Sequence, residues 1–489
     1  MKNSDRIDRN QYMMISLDDM IDKDSKVRVI DAYVHSLDVD KLGYQVCSNK
    51  VGRPAYNPQD LIGLYLYSYM AHVMSSRMME QQTYINVEVM WLLNGIHPDH
   101  STIAAFRSKN SEALTNTFHE FTKTCIDLGL VGGSVVAVDG TKIHANNNKK
   151  RNYSAKSLTR KIEHIDEQIS EYFQTLDKND NSNKDLHILE ERKSTYDNML
   201  NQLNHSDETQ VSTTDPDSRL MDNKKGGLDV AYNIQATVDE MNALVVDQYV
   251  VNTPTDQGEL SNASSRAQEI LSNKGLTVLA DKGYYNGEDL EKSFSLGVTP
   301  VVARQKPPTR QGMYSMNDFI YNRDNDSFIC PQNKVFVRTS GENAKVTVYA
   351  NKAACRNCPH KSKCFKQGGK HNYRTINKDK YFQTLLKADT LFEENKVLYH
   401  RRQEIIEHVF GSIKRQLGFP QLNVRTKRKV AGEVSLLFLG YNFKRVINII
   451  GNTELIRYFK ERTNSALRQF TSIILNICNF AYCKLNNCA

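Results

Sequence analysis

The stretch GGSVVAVDGTKIHA, residues 132–145, decides how the chain is read. Val135 to Val138 form a β-branched, apolar run bounded by glycines, the pattern of a buried strand, and Asp139 with Gly140 is expected to end it. A second stretch, GLTVLADKGYYNGEDLEKSF at 275–294, has the same grammar: an apolar strand, Asp281, a glycine turn, then a helix capped near Asn286. Carboxylates at strand C-termini lie at the rim of a sheet, where a ligand can approach over open backbone. Two of them held together repel unless a cation lies between, and oxygen ligands suit Mg²⁺ or Mn²⁺. Taken alone, either aspartate reads first as the turn residue that ends a strand.

Outward from these two stretches the pattern continues. LDVAYNIQATVD (228–239) and ALVVDQYVV (243–251), separated by the turn-like DEMN, predict a β-hairpin, and VTPVVAR (298–304) predicts one more short strand. Leu158, Ile162, Ile165, Ile169, Tyr172 and Leu176 follow a heptad seam. After the polar turn KNDNSNKD it resumes in Leu186, Leu189, Tyr196, Leu200 and Leu203, broken once by Lys193. An antiparallel helical hairpin inserted into a larger domain is expected there.

Residues 396–418 read as a helix. At about 100° per residue, Ile405, Ile406, Val409, Phe410, Ile413 and Leu417 share one arc, with Glu404 opposite its centre. Glu407 stands at the border of that arc, and Lys414 falls within about 20° of it, with Gly411 between them. Glu407 is therefore the acid able to lean over a sheet edge. The alternative is a border glutamate paired with a neighbouring Lys or Arg.

The first 130 residues read as helical. Asn57 and Pro58 open one helix, SSRMMEQQTYINVEVMWLL (75–93) makes a second, and DHSTIAAFRSKN (99–110) a third, capped by Asp99 or Ser101. The last two fit a helix-turn-helix, with Arg107, Lys109 and Arg77 as candidate DNA contacts, or an ordinary helical bundle. The whole chain of 489 residues is long enough for two or more cores. Its net charge of +8 permits a polyanionic partner without requiring one. No apolar run suits a membrane span and the N-terminus MKNSDRIDRNQYMM lacks a signal core, so a cytoplasmic, nucleoid-associated protein with no membrane partner is expected. Of nine cysteines, Cys330, Cys355, Cys358 and Cys364 cluster as C-x2-C-x5-C with one upstream member. That pattern suits either a tetrahedral structural zinc site, with His360 and His371 as substitute ligands, or free thiols.

Strand-Asp, strand-Asp and helix-Glu in this order resemble the DDE transposases of bacterial insertion sequences. YHRRQEIIEHVFGSIK (399–414) is similar to the family's Tyr-Arg-Glu-Lys signature through Tyr399, Arg402, Glu407 and Lys414, although the interval from Arg402 to Glu407 is one residue longer than in some branches. AVDGTKIHA and LADKGYYNGEDL resemble the blocks around the two aspartates. GRPAYNPQDLIGLYLYSYM with PDHSTIAAFRSKN resembles the N-terminal domain of one branch.

The resemblance implies an α/β architecture with an RNase H-like mixed-sheet catalytic core. It implies a helical DNA-binding and dimerisation domain at 1–130 and the first part of the core at 131–305, carrying the hairpin insertion 150–210. A Cys-rich insertion at 306–395, the catalytic helix and end of the core at 396–460, and a tail at 461–489 complete it. Asp139, Asp281 and Glu407 would hold two divalent cations, Mg or Mn, while Tyr399, Arg402 and Lys414 would contact DNA phosphate. The expected partners are double-stranded DNA, both element ends and target, and a second copy of the chain as a homodimer. The expected function is binding of terminal inverted repeats, end cleavage and strand transfer. The alternatives are an inactive transposase-derived DNA-binding protein or a metal-dependent nuclease that does not join strands.

Overall fold

The computed structural model describes residues 10, 14–44, 55–175, 183–206, 210–222, 227–304, 312–339, 346–364, 372–413 and 421–464. Six strands make one sheet in the order Arg219–Asp222, Leu228–Asp239, Val135–His144, Thr277–Ala280, Thr299–Val302, with Val245–Val251 also paired to Leu228–Asp239. Leu228–Asp239 and Val245–Val251 run antiparallel, whereas Val135–His144, Thr277–Ala280 and Thr299–Val302 run parallel to one another. The antiparallel pair Leu228–Asp239 and Val245–Val251 on one side of Val135–His144, with two parallel strands on its other side, is the strand order of an RNase H-like core, as the resemblance implied.

One expectation is corrected. Asp139 and Gly140 do not end the first strand, which runs on to His144. Asp-Gly is a turn signal locally, but Thr141 and Ile143 are buried beyond it, and the strand keeps a partner there: Ala145 N–H donates to the Val230 carbonyl at 2.9 Å. Continued pairing and alternation outweigh the local turn preference. Asp139 therefore lies within a strand, while Asp281 directly follows Thr277–Ala280 as expected.

Two compact units divide the chain. One comprises Met1–Gly132, Gly140–Pro254 and Glu407–Ala489; the other comprises Gly133–Asp139 and Thr255–Ile406. In the first, helix Lys427–Ile450 is buried along most of its length and packs on helices Pro58–Met70, His100–Lys109 and Ser111–Asp127 and on strand Val245–Val251. Asn442 satisfies that strand's backbone in both senses, accepting from Val245 N–H at 2.9 Å and donating to its carbonyl at 2.7 Å. Gly432 lets two helices meet closely: a Cβ there would lie 2.5 Å from Ser111 Cα. Gly432→Ala is accordingly expected to destabilise the fold by about 1–3 kcal/mol through overpacking. An unchanged urea midpoint would contradict that packing.

The N-terminal caps behave as the sequence implied. Asn57 accepts from Gln59 N–H with Pro58 in the first turn, and Asp99 accepts from Ser101 and Thr102 N–H. The single helix expected over 75–93 is instead two, Ser76–Ile85 and Val87–Leu92, because Asn86 turns extended and caps the second through Glu88 and Val89 N–H. The heptad seam is two helices, Ala155–Thr175 and Asn183–Asn204, closed at the base by the antiparallel strands Asn152–Ser154 and Gln210–Ser212. Lys193, which breaks the seam, pairs with Asp166 at 2.5 Å.

In the second unit, five short strands form an antiparallel sheet in the order Thr375–Lys378, Thr347–Ala350, Val335–Arg338, Ser327–Ile329, Ile320–Asn322. Its core is small: Phe319, Phe328, Phe336, Tyr349, Cys355, Ile376 and Phe382. Lys378, with Tyr321 and Tyr349, holds the Asp326 carboxyl down to about 2 from 3.8. The sign follows from that depression. The contribution of Asp326 is full above about pH 4 and is lost as pH falls through about 2. Acid titration should therefore loosen this sheet in that window, and Asp326→Asn should remove the pH dependence, read by tyrosine near-ultraviolet dichroism.

Candidate active site

In the parallel ladder Val138 is the register partner of Ala280, so the next residues, Asp139 within its strand and Asp281 directly after its own, stand at the same level. Neighbouring strands lie about 4.8 Å apart and residues in register face the same side of a sheet. Both aspartates are partly exposed, between buried strand residues and solvent. Asp281 is held by a short turn: its Oδ1 accepts from Gly283 N–H at 2.7 Å, and a Cβ on Gly283 would sit 2.8 Å from that oxygen. The same Cβ position lies 3.9 Å from Asp256 Oδ2, which brings a further carboxylate near Asp281. Sequence reading passed over Asp256, whose segment TPTDQGEL carries no strand pattern to place it.

Helix Lys396–Gly411 supplies the remaining groups. Arg402 Nη1 stands 3.5 Å from Asp139 Oδ2, with the two side chains 16% and 25% exposed. Its guanidinium carbon is 5.8 Å from the centre of the Tyr399 ring, and its Nε is buried without a partner among the described residues. Burial raises the Tyr399 phenol pKa; the Arg402 cation opposes this, and the carboxylates of Asp281 and Asp139 add to it. One tyrosine thus feels both aspartates. Arg402, expected to meet phosphate, rests on a carboxylate in this structure.

Glu407 is exposed on the same helix, five residues after Arg402, and Glu404 is exposed as expected. Ile405, Ile406, Val409 and Ile413 are buried, as the apolar arc required. Lys414 and Leu417 lie outside the described residues. Among the described residues, no three His, Cys, Asp or Glu side chains are gathered closely enough to hold a metal ion. The paired oxygen donors of Asp139 and Asp281 are nonetheless of the kind that Mg²⁺ or Mn²⁺ takes.

Arg107, a candidate DNA contact, is buried. It pairs with Glu433 at 2.9 Å and donates to Tyr69 Oη at 3.0 Å. Arg77 and Lys109 are exposed.

Elsewhere, Cys330, Cys355, Cys358 and Cys364 carry free thiols and line one cavity. Burial pushes the Cys364 thiol up to about 11, with Cys358, Cys355 and Cys330 adding to it. His371, Cys47 and the tail cysteines Cys478, Cys483 and Cys488 lie outside the described residues.

Two family models match the chain. Residues 329–447, which include Tyr399, Arg402 and Glu407, match a transposase DDE domain, and residues 15–109 match a transposase domain (DUF772). Both matched models are transposase domains, consistent with a DDE-type transposase. A search of curated proteins finds no match. Among solved structures, the chain is similar to a piggyBac transposase synaptic complex with hairpin DNA, determined by cryo-EM. The identity is 8% and the TM-score 0.31, with 91% of this chain and 79% of that chain covered. No helix among the described residues of the chain is long and apolar enough to cross a membrane.

Proposed function

We propose that the chain is the transposase of an insertion sequence, which binds terminal inverted repeats, cleaves the element ends and joins the freed 3′ ends to target DNA. The observation that carries this reading is the level placement of Asp139 and Asp281 at adjacent parallel strands. Asp139, Asp281 and Glu407 would hold two divalent cations, Mg or Mn. Such ions supply charge neutralisation for the in-line displacement at phosphorus and lower the pKa of bound water. The protein's own residues hold and orient. The Gly283 amide fixes the Asp281 carboxylate, and Arg402 fixes that of Asp139. Once phosphate arrives, Arg402 and Tyr399, with Lys414, would position it without reading sequence. Exposed Arg77 and Lys109 suit a role in end binding, whereas Arg107 does not. Pairing two element ends calls for two copies of the chain.

Labelled element-end DNA incubated with purified protein and Mg²⁺ or Mn²⁺ tests the proposal. Nicking followed by strand joining is the expected result. Binding without cleavage would make the chain a DNA-binding derivative, and cleavage without joining would make it a nuclease; either overturns the proposal.

A further inference from the structure

The four clustered cysteines have no part in the reaction proposed above, yet the fold lines one cavity with all four, without drawing three of them close enough together to hold a metal ion as they stand. Cys330 follows strand Ser327–Ile329 and opens a tight turn in which Asn333 adopts a left-handed backbone. Cys355 lies in the five-residue helix Lys352–Arg356, Cys358 in the turn after it, and Cys364 ends the four-residue helix Lys361–Cys364. All four line a cavity of about 20 Å³, bordered by Tyr314, Phe336, Lys334 and Lys361. That is room for an occupant the size of one water.

Three features suit a metal better than a set of idle thiols. One of the sulfurs already receives a backbone donor: Lys334 N–H points to Cys330 Sγ at 3.3 Å. Such a donor stabilises thiolate sulfur. Helices of five and four residues are far too short to persist on their own propensity, and the adjoining core is small, so a cross-link would fix what packing alone holds weakly. Lys334 and Lys361 at the cavity wall offset the negative charge that four thiolates leave around a divalent ion.

We propose that Cys330, Cys355, Cys358 and Cys364 bind one structural zinc ion. Soft sulfur donors select zinc over the hard cations of the carboxylate site. Four protein ligands leave no open position, so the ion is structural. Binding requires the thiols to turn inward on the cavity they line, to about 2.3 Å from the metal, with their protons released to solvent.

The test is the zinc content of the full chain purified under reducing conditions, followed by titration with a mercurial while released zinc is read with a chromogenic chelator. One zinc per chain, released in step with modification of four thiols, is expected. The Cys358→Ser, Cys364→Ser double variant should carry none. Cobalt substitution of the unmodified protein should give thiolate charge-transfer and tetrahedral ligand-field bands, a readout that survives even if the variant does not fold. A chain purified without zinc, one that holds iron instead, or a double variant that retains zinc overturns the proposal. None of these measurements involves DNA, so their failure and the failure of the transposition assay are separate results.

Discussion

Asp139→Asn is expected to abolish both end cleavage and strand joining while leaving the chain folded. Asparagine keeps the shape of the side chain and removes its charge. Charge stabilisation by metal at a phosphoryl centre is worth several kcal/mol, which at 1.36 kcal/mol per tenfold is a loss of roughly a thousandfold or more. The substitution also removes the partner of Arg402. That pair is 3.5 Å apart and open to solvent on one side, so the stability change should stay within about 1 kcal/mol. Cleavage of labelled ends, with urea unfolding as the control, separates the two effects. Retention of a tenth of the cleavage rate would remove Asp139 from the reaction. Asp281→Asn should behave alike, because its level in the sheet is the same.

Arg107→Ala is expected to cost about 3–5 kcal/mol of stability, the usual consequence of stranding a buried charge. Glu433 is fully buried and accepts from four donors. These are Arg107 Nη1 at 2.9 Å, Asn423 N–H at 2.9 Å, Asn423 Nδ2 at 2.8 Å and Val424 N–H at 3.2 Å. Without the guanidinium the carboxylate keeps only neutral partners. Replacing both members of the pair, as in Arg107→Met with Glu433→Leu, should not restore stability, since it orphans the amides of Asn423 and Val424. Chemical denaturation reads both variants. A normally stable Arg107→Ala protein that has lost DNA binding would instead make Arg107 a DNA contact.

Arg107 shows where sequence reading stops. On helix His100–Lys109 it looks like any basic residue of a DNA-binding helix. Its acid stands far along the chain, in helix Lys427–Ile450, and no periodicity links them. The caps Asn57, Asp99 and Asn286 were legible because a cap is a bond to an amide two or three residues away. Asn86 makes the same bond, but it was submerged in an apolar pattern that runs through it. Asp139-Gly140 misled in the opposite sense. Its turn signal is local, and the strand continues because pairing and burial beyond it are not.

The sequence by itself determined the order of strands and acids, the hairpin of long helices and the spacing of the thiols, since these rest on periodicity and short-range hydrogen bonding. Only the tertiary structure decided that Asp139 and Asp281 share one level of a parallel ladder, that Arg402 lies on Asp139, that Arg107 is buried against Glu433, and that four cysteines line one cavity. Each of these depends on register, desolvation or packing between segments distant in the chain, where the energy lies in the contact and leaves no mark on the residues near it.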